Sequence, residues 1–239
     1  MEAVDNSFGG GGERENFELN NLISKLEHLR TLIIYNSPYA ARSLLFYHII
    51  PQFSSKNIFI AVYSDTMYRR LEKTYESISK TSPQIAKLLD KAKIIKIGTK
   101  DRVSFGELYE FINLDLTWHR RFVDVVKRLH DDDVIIFHGF SIIPLMYGMK
   151  AMMDMLKVLD MMPEGITLIN KCSEKLYDEA VNKLMERFYD VVLKVERSEG
   201  EFLGFEETYT IGVDQSIVMD IKPGFARFKI GEDGRLIEF

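Results

Sequence analysis

The sequence has one cysteine, Cys172, so no intrachain disulfide can form and a cytoplasmic, reducing setting is expected. It has no apolar run near the ~20 residues needed to cross a bilayer, so no membrane association is expected. Basic charge is not in excess. Lys and Arg number 31 against 36 Asp and Glu, a formal charge of −5, and duplex binding needs a dense basic surface. Nucleic acid is therefore an unfavoured partner. The N-terminus lacks the basic-then-apolar order of a signal peptide; MEAVDNSFGGGGEREN, residues 1–16, is acidic and Gly-rich and reads as a flexible leader. Gly9 to Gly12 lack a following Lys and make no phosphate loop. No His or Cys pair stands at ligand spacing, so no metal site is expected.

What is present suits one α/β domain over residues 17–239, large enough to bury roughly 70% of its unfolded surface. Leu19, Leu22, Ile23, Leu26 and Leu29 repeat at helical spacing. NIFIAVYS is a continuous apolar run of the kind a doubly covered parallel strand needs, and TLIIY, AKIIKIG, VIIFH, ITLINK and DVVLKVER read as further strands. AKIIKIG is expected at an edge, and a helix is expected from about Phe105 to His130. Asp65 is expected to cap the polar helix TMYRRLEKTYESISK, whose charges suit a solvated face. The Met-rich stretch Leu145 to Met161 reads as a helix filling the core or forming an adaptable groove. After Gly200 short strands follow, and Gly231-Glu232-Asp233-Gly234 signals a hairpin. The expected fold is a three-layer α/β architecture: a mostly parallel sheet, helices on both faces, and antiparallel strands at one edge.

Ligands of such sheets bind outside the carboxyl ends of the strands. The first such end carries NSPYAARS, Asn36 to Ser43, between a strand and a helix expected from Ala41 to Ile50 with Pro51 as its stop. Its length and context match a phosphate-binding loop, G-x-x-x-x-G-K-[ST]. Asn36 and Ala41 stand where that motif has glycine, Arg42 stands for its Lys, and only Ser43 is kept. Ala41 adds a methyl group, and Pro38, beside Ser37, has no N–H to offer an anion. Asn36, Ser37, Ala41, Arg42 and Ser43 are thus candidates for residual anion binding, or a turn kept for packing. The second end has Tyr63, Ser64 and Asp65; the third has His138 and Ser141; the fourth has Asn170. His138 occupies a place where Mg²⁺ would need a hard oxygen ligand.

The order and spacing of these segments, from about Phe17 to Phe239, resemble the RecA-like ATPases and their KaiC-like branch. They are also similar to a small KaiC-like family of hyperthermophilic archaea with no assigned activity. The C-terminal IKPGFARFKIGEDGRLIEF, Ile221 to Phe239, looks like the basic segment and Phe-containing hairpin of that branch. The resemblance implies the RecA-like P-loop fold and ring-forming relatives, hence a homo-oligomer as one option. It also implies a Glu pair where Tyr63 and Ser64 stand, and an Asp where His138 stands. No catalytic residue carries over beyond Ser43, with Arg42 in place of Lys. The expectation is a non-catalytic RecA/KaiC-like domain that binds a protein or peptide, with no cofactor and with ATP and Mg²⁺ disfavoured. The alternatives are a nucleotide- or anion-binding regulator using the altered loop, and a recombinase-like nucleic-acid protein.

Overall fold

The computed structural model describes residues 18–198 and 207–239; the expected leader, residues 1–16, lies outside them. The N-terminal helix is α1, Leu19–Ser24, and the first strand is β1, Arg30–Tyr35. Then come α2 (Pro38–Ser43), a π-helical turn (Leu44–Ile49) and α3 (Ile50–Gln52). The chain continues through β2 (Ile58–Tyr63), α4 (Asp65–Thr81), α5 (Pro83–Leu89), β3 (Lys93–Gly98) and β4 (Glu107–Asn113). Next are α6 (Trp118–Val126), β5 (Val134–His138), α7 (Ile143–Asp160), β6 (Thr167–Ser173), α8 (Glu179–Glu186) and β7 (Val191–Arg197). Three strands end the chain: β8 (Thr208–Ser216), β9 (Gly224–Ile230) and β10 (Leu236–Glu238).

All ten strands join one sheet in the order β10-β9-β8-β7-β1-β6-β5-β2-β3-β4. From β7 to β4 the pairs are parallel, and β8, β9 and β10 add antiparallel neighbours. Successive side chains of a strand point to opposite faces, so each central strand feeds two cores. Ile33, Ile60, Val62 and Ile94 enter one cluster with α1, α2, the π-turn, α4 and α5. Leu32, Ile34, Phe59 and Ala61 enter the other, beneath α6 and α7. The expected mostly parallel sheet, covered on both faces and extended by antiparallel strands, is what forms.

Several local expectations are corrected. ELYEFIN is not helical: it is β4, the true edge, with Ile95↔Glu110 and Ile97↔Ile112 in register, so β3 lies inside the sheet. The segment contains both periodicities, and pairing with β3 decides between them, with Tyr109 set edge-on to Phe59 at 5.0 Å. Ser64, not Asp65, caps α4, accepting from Met67 N at 3.3 Å. Pro51 does not stop its helix. The π-turn ahead of it changes the hydrogen-bond register, so its missing N–H leaves the helix to run on to Gln52. SIVMDI forms no strand beyond Ser216. In the Met stripe, Met152, Met155 and Met162 are buried while Met146, Met153 and Met161 are exposed. Gly148, at φ 79°, breaks the α-helical course of α7 there.

Candidate functional site

At the phosphate-loop position the chain makes a short connection. Only Asn36 and Ser37 separate β1 from α2, because the helix begins at Pro38 rather than Ala41. Proline suits a first helical position, and Ser37 caps it by accepting from Ala40 N at 3.3 Å. Ala41 N is bonded to Ser37 O at 3.0 Å. Asn36 extends the β1–β7 ladder: its N–H donates to Val195 O at 3.1 Å and its Oδ1 accepts from Arg197 N at 2.7 Å. Ser43 is buried and donates its hydroxyl to Gly234 O in the C-terminal hairpin turn. Nearby, Leu236 N donates to His48 Nε2 at 3.0 Å, fastening the hairpin to the π-turn. Three of the backbone donors that a phosphate loop would offer, those of Asn36, Ala40 and Ala41, are therefore taken up by helix and sheet.

Side chains take their place. A crevice of 390 Å³ opens at the ends of β1, β5 and β6, walled by α2 and α4. Arg42, Arg70, Lys73 and Lys171 line it together with His138 and Ser141, and no carboxylate does. Among the described residues none of these four cations has a carboxylate partner; Arg42 instead lies 5.5 Å over the Tyr39 ring. The charges act on each other. Burial, then the charges of Lys171 and Arg70, hold the His138 imidazole down to about 3 against a pull upward from the Met67 backbone. Burial and Arg42 bring the half-buried Lys171 ammonium down to about 8. Arg42, Arg70 and Lys73 are exposed, so solvent screens their repulsion, but a wall of cations with no carboxylate still favours an arriving anion. His138 Nε2 is buried without a hydrogen-bond partner.

The residues expected at the strand ends divide between places. Ala41, Arg42, His138 and Ser141 meet in the crevice. Ser43 faces a neighbouring hollow of 130 Å³ with Tyr47 and Gly234. Tyr63 is buried under the other face; its hydroxyl donates to Tyr147 at 3.0 Å and burial raises it far above the ordinary phenol range. Asp65 Oδ2 accepts from Thr99 N and Oγ1, each at 2.8 Å, and its Oδ1 lies 3.3 Å from Lys96, a side chain only 3% exposed. Burial would raise the Asp65 carboxyl, but Thr99 and Lys96 outweigh it and hold it below the ordinary range. Asn170 is buried, donating to Tyr189 at 2.6 Å and accepting from Lys171 N at 2.8 Å. Sequence patterning overlooks Arg70 and Lys73, and it gives no role to Lys171 within the fourth strand end, Asn170 to Ser173. The first two sit among the charges of a polar helix, and their one signal is the Met67, Arg70, Thr74 spacing of a single helical face.

In the sheet order β6 separates β1 from β5, with β2 beyond, and the crevice lies at the carboxyl ends of these strands. The fold is RecA-like. Two solved structures from the hyperthermophilic archaeon Pyrococcus horikoshii OT3 match it over nearly their whole lengths. One is a protein known from a structural study, with a TM-score of 0.59 at 16% identity, covering 91% of this chain and 97% of that one. The other is a KaiC-like protein, with a TM-score of 0.54 at 12% identity, covering 89% of this chain and 90% of that one. No family model matches the sequence. No curated protein matches it either. Among the described residues no helix of this RecA-like chain is long and apolar enough to cross a membrane.

Proposed function

We propose that the protein is a non-catalytic, cytoplasmic RecA-like domain that works by binding an anion, a nucleotide or other phosphate, in the strand-end crevice. The observation that carries the reading is the set Arg42, Arg70, Lys73 and Lys171 around one 390 Å³ space with no carboxylate on its wall. The same set speaks against magnesium-assisted phosphoryl transfer, since Mg²⁺ is held by hard oxygen ligands and His138 stands at the strand end where one would be needed. Binding would run through side chains, because Ala40 N and Ala41 N are already bonded within the turn. Calorimetric titration with ATP, ADP and tripolyphosphate tests this. Affinity in the micromolar range, weakened at least tenfold in Arg42→Ala and in Arg70→Ala, is expected. No binding tighter than millimolar would remove the reading. ATP turnover with Mg²⁺ that Arg42→Ala abolishes would overturn its non-catalytic part.

A protein or peptide partner is the second reading. It is favoured by an apolar groove of 470 Å³ between α6 and α7, floored by Trp118, Phe122, Phe137 and Phe140. Leu116, 93% exposed, and Tyr147 stand on its rim, and an amphipathic helix presenting two apolar side chains would fit that chemistry. A Phe122→Ser variant that loses a captured peptide while keeping tripolyphosphate affinity would separate the two readings.

A further inference from the structure

We infer that Lys171 is a carbonyl-trapping amine, condensing reversibly with an aldehyde or ketone whose carboxylate or phosphate is held by the other cations of the crevice. The inference rests on the anion-binding reading of this site and adds a reaction to it.

Lys171 lies in β6, flanked by β1 and β5, with Ile33↔Lys171 in register, so its backbone is held from the middle of the sheet. Its side chain lines the crevice, and its Nζ has no hydrogen-bond or ion-pair partner among the described residues. A lysine at a protein surface is normally a solvated ammonium, and a buried one is normally paired with a carboxylate. Lys171 is neither: it is half-buried, and no carboxylate lines its surroundings. The neighbouring cations divide the work. Arg42, Arg70 and Lys73 can hold an oxyanion, and Arg42 also discourages protonation of the amine beside it. With its pKa near 8, roughly a tenth of the amine is neutral at pH 7, against less than about one part in a thousand for an ordinary lysine. Two nearby nucleophiles are quiet: burial pushes the Cys172 thiol up to about 12, and the Ser43 hydroxyl is bonded to Gly234 O; the exposed Lys73 amine is the competitor from which the adduct map must separate Lys171.

The step needs no oxidant and no metal. The neutral amine attacks the carbonyl carbon, forming a C–N bond and a carbinolamine. In the first step the C=O π pair moves to oxygen, which takes one amine proton; the C–O bond then breaks and the hydroxyl leaves with the remaining N–H proton as water, so the C–N bond becomes the C=N of an imine. The carbonyl carbon must lie within a few bonds of the anionic group, since one crevice holds both ends. Oxo acids and phosphorylated aldehydes are the two compound classes that meet this condition.

Reductive trapping on the full chain tests the inference, with pyridoxal 5′-phosphate as the phosphate probe and pyruvate as the carboxylate probe. Each is incubated with protein, reduced with borohydride and mapped by peptide mass spectrometry. One adduct at Lys171 is expected from at least one probe, in at least tenfold excess over any other lysine and suppressed by tripolyphosphate. Which probe reacts identifies the anion class. Lys171→Arg should lose the adduct while unfolding in thermal melts as the parent does, which shows that the variant is folded. Binding of tripolyphosphate with labelling spread over other lysines, or absent, overturns the imine alone. If tripolyphosphate does not bind the parent protein, the anion reading falls, and the imine with it.

Discussion

Replacing Ser64 by glycine should stabilise this protein, although the change removes a helix cap. Ser64 joins β2 to α4 with φ 77° and ψ 150°, a region that non-glycine residues occupy at a cost of about 1–3 kcal/mol. Three hydrogen bonds hold it there. Ser64 N donates to Ile97 O at 2.8 Å, Ser64 O accepts from Tyr68 N at 3.0 Å, and Oγ accepts from Met67 N at 3.3 Å. Glycine keeps the two backbone bonds and removes the Cβ that makes this backbone region unfavourable. Its losses are the cap, only a few tenths of a kcal/mol for Ser→Gly, and a wider unfolded ensemble, about 0.4–1 kcal/mol. With strain relief taken at about 2 kcal/mol, the balance is a gain of about 1 kcal/mol, or about 2–4 °C in unfolding midpoint for a chain of this size. Ser64→Ala keeps the Cβ and loses the cap, so it should cost about 1 kcal/mol. Urea and thermal unfolding of the three proteins side by side measure both changes. A glycine variant no more stable than the alanine variant would refute the claim that strain is stored at this turn. The turn lies directly after β2, which makes the strain a feature of a strand end rather than of an arbitrary loop.

Acid should loosen the C-terminal hairpin. Burial, then Arg235, depress His48 to about 4 from the usual 6.5, so the unfolded chain binds the proton first. Its stabilising contribution is complete above pH 6.5 and is lost as pH falls toward 4. His48→Gln, which can still accept from Leu236 N, should flatten that part of the stability–pH curve in thermal melts. Asp65→Ala should cost about 3–5 kcal/mol by leaving the Lys96 charge buried without its partner, and adding Lys96→Met should recover part of the loss in chemical denaturation. Gly212→Ala should cost about 3 kcal/mol, because its Cβ would stand 2.0 Å from Gly224 O on the adjacent strand β9. Hydrogen exchange should then show β9 and β10 opening ahead of the parallel sheet.

Much of the fold was legible because continuous runs such as IFIAVY can be satisfied only between two covering layers, and most of them precede a helical segment. The failures share one cause. ELYEFIN carries enough helical spacing to be misplaced, and only the unpaired edge of β3 makes it a strand. Pro51 reads as a stop unless the π-turn before it is known. For the candidate site, the altered loop residues are plain in the sequence, but the crevice is not. Arg42 stands out at the altered loop, but Arg70 and Lys171 come from two other segments and look like ordinary surface charges in each.

The layered α/β plan and the departures from the phosphate-loop pattern are written in residue type and period, so both can be read along the chain. The folded structure decided that NSPYAARS closes into a capped helix start with the Asn36, Ala40 and Ala41 N–H groups bonded internally. It also decided that cations from α2, α4 and β6 converge there. Convergence is a property of the strand order, which brings β6 between β1 and β5, and strand order is fixed by long-range pairing that no local pattern encodes.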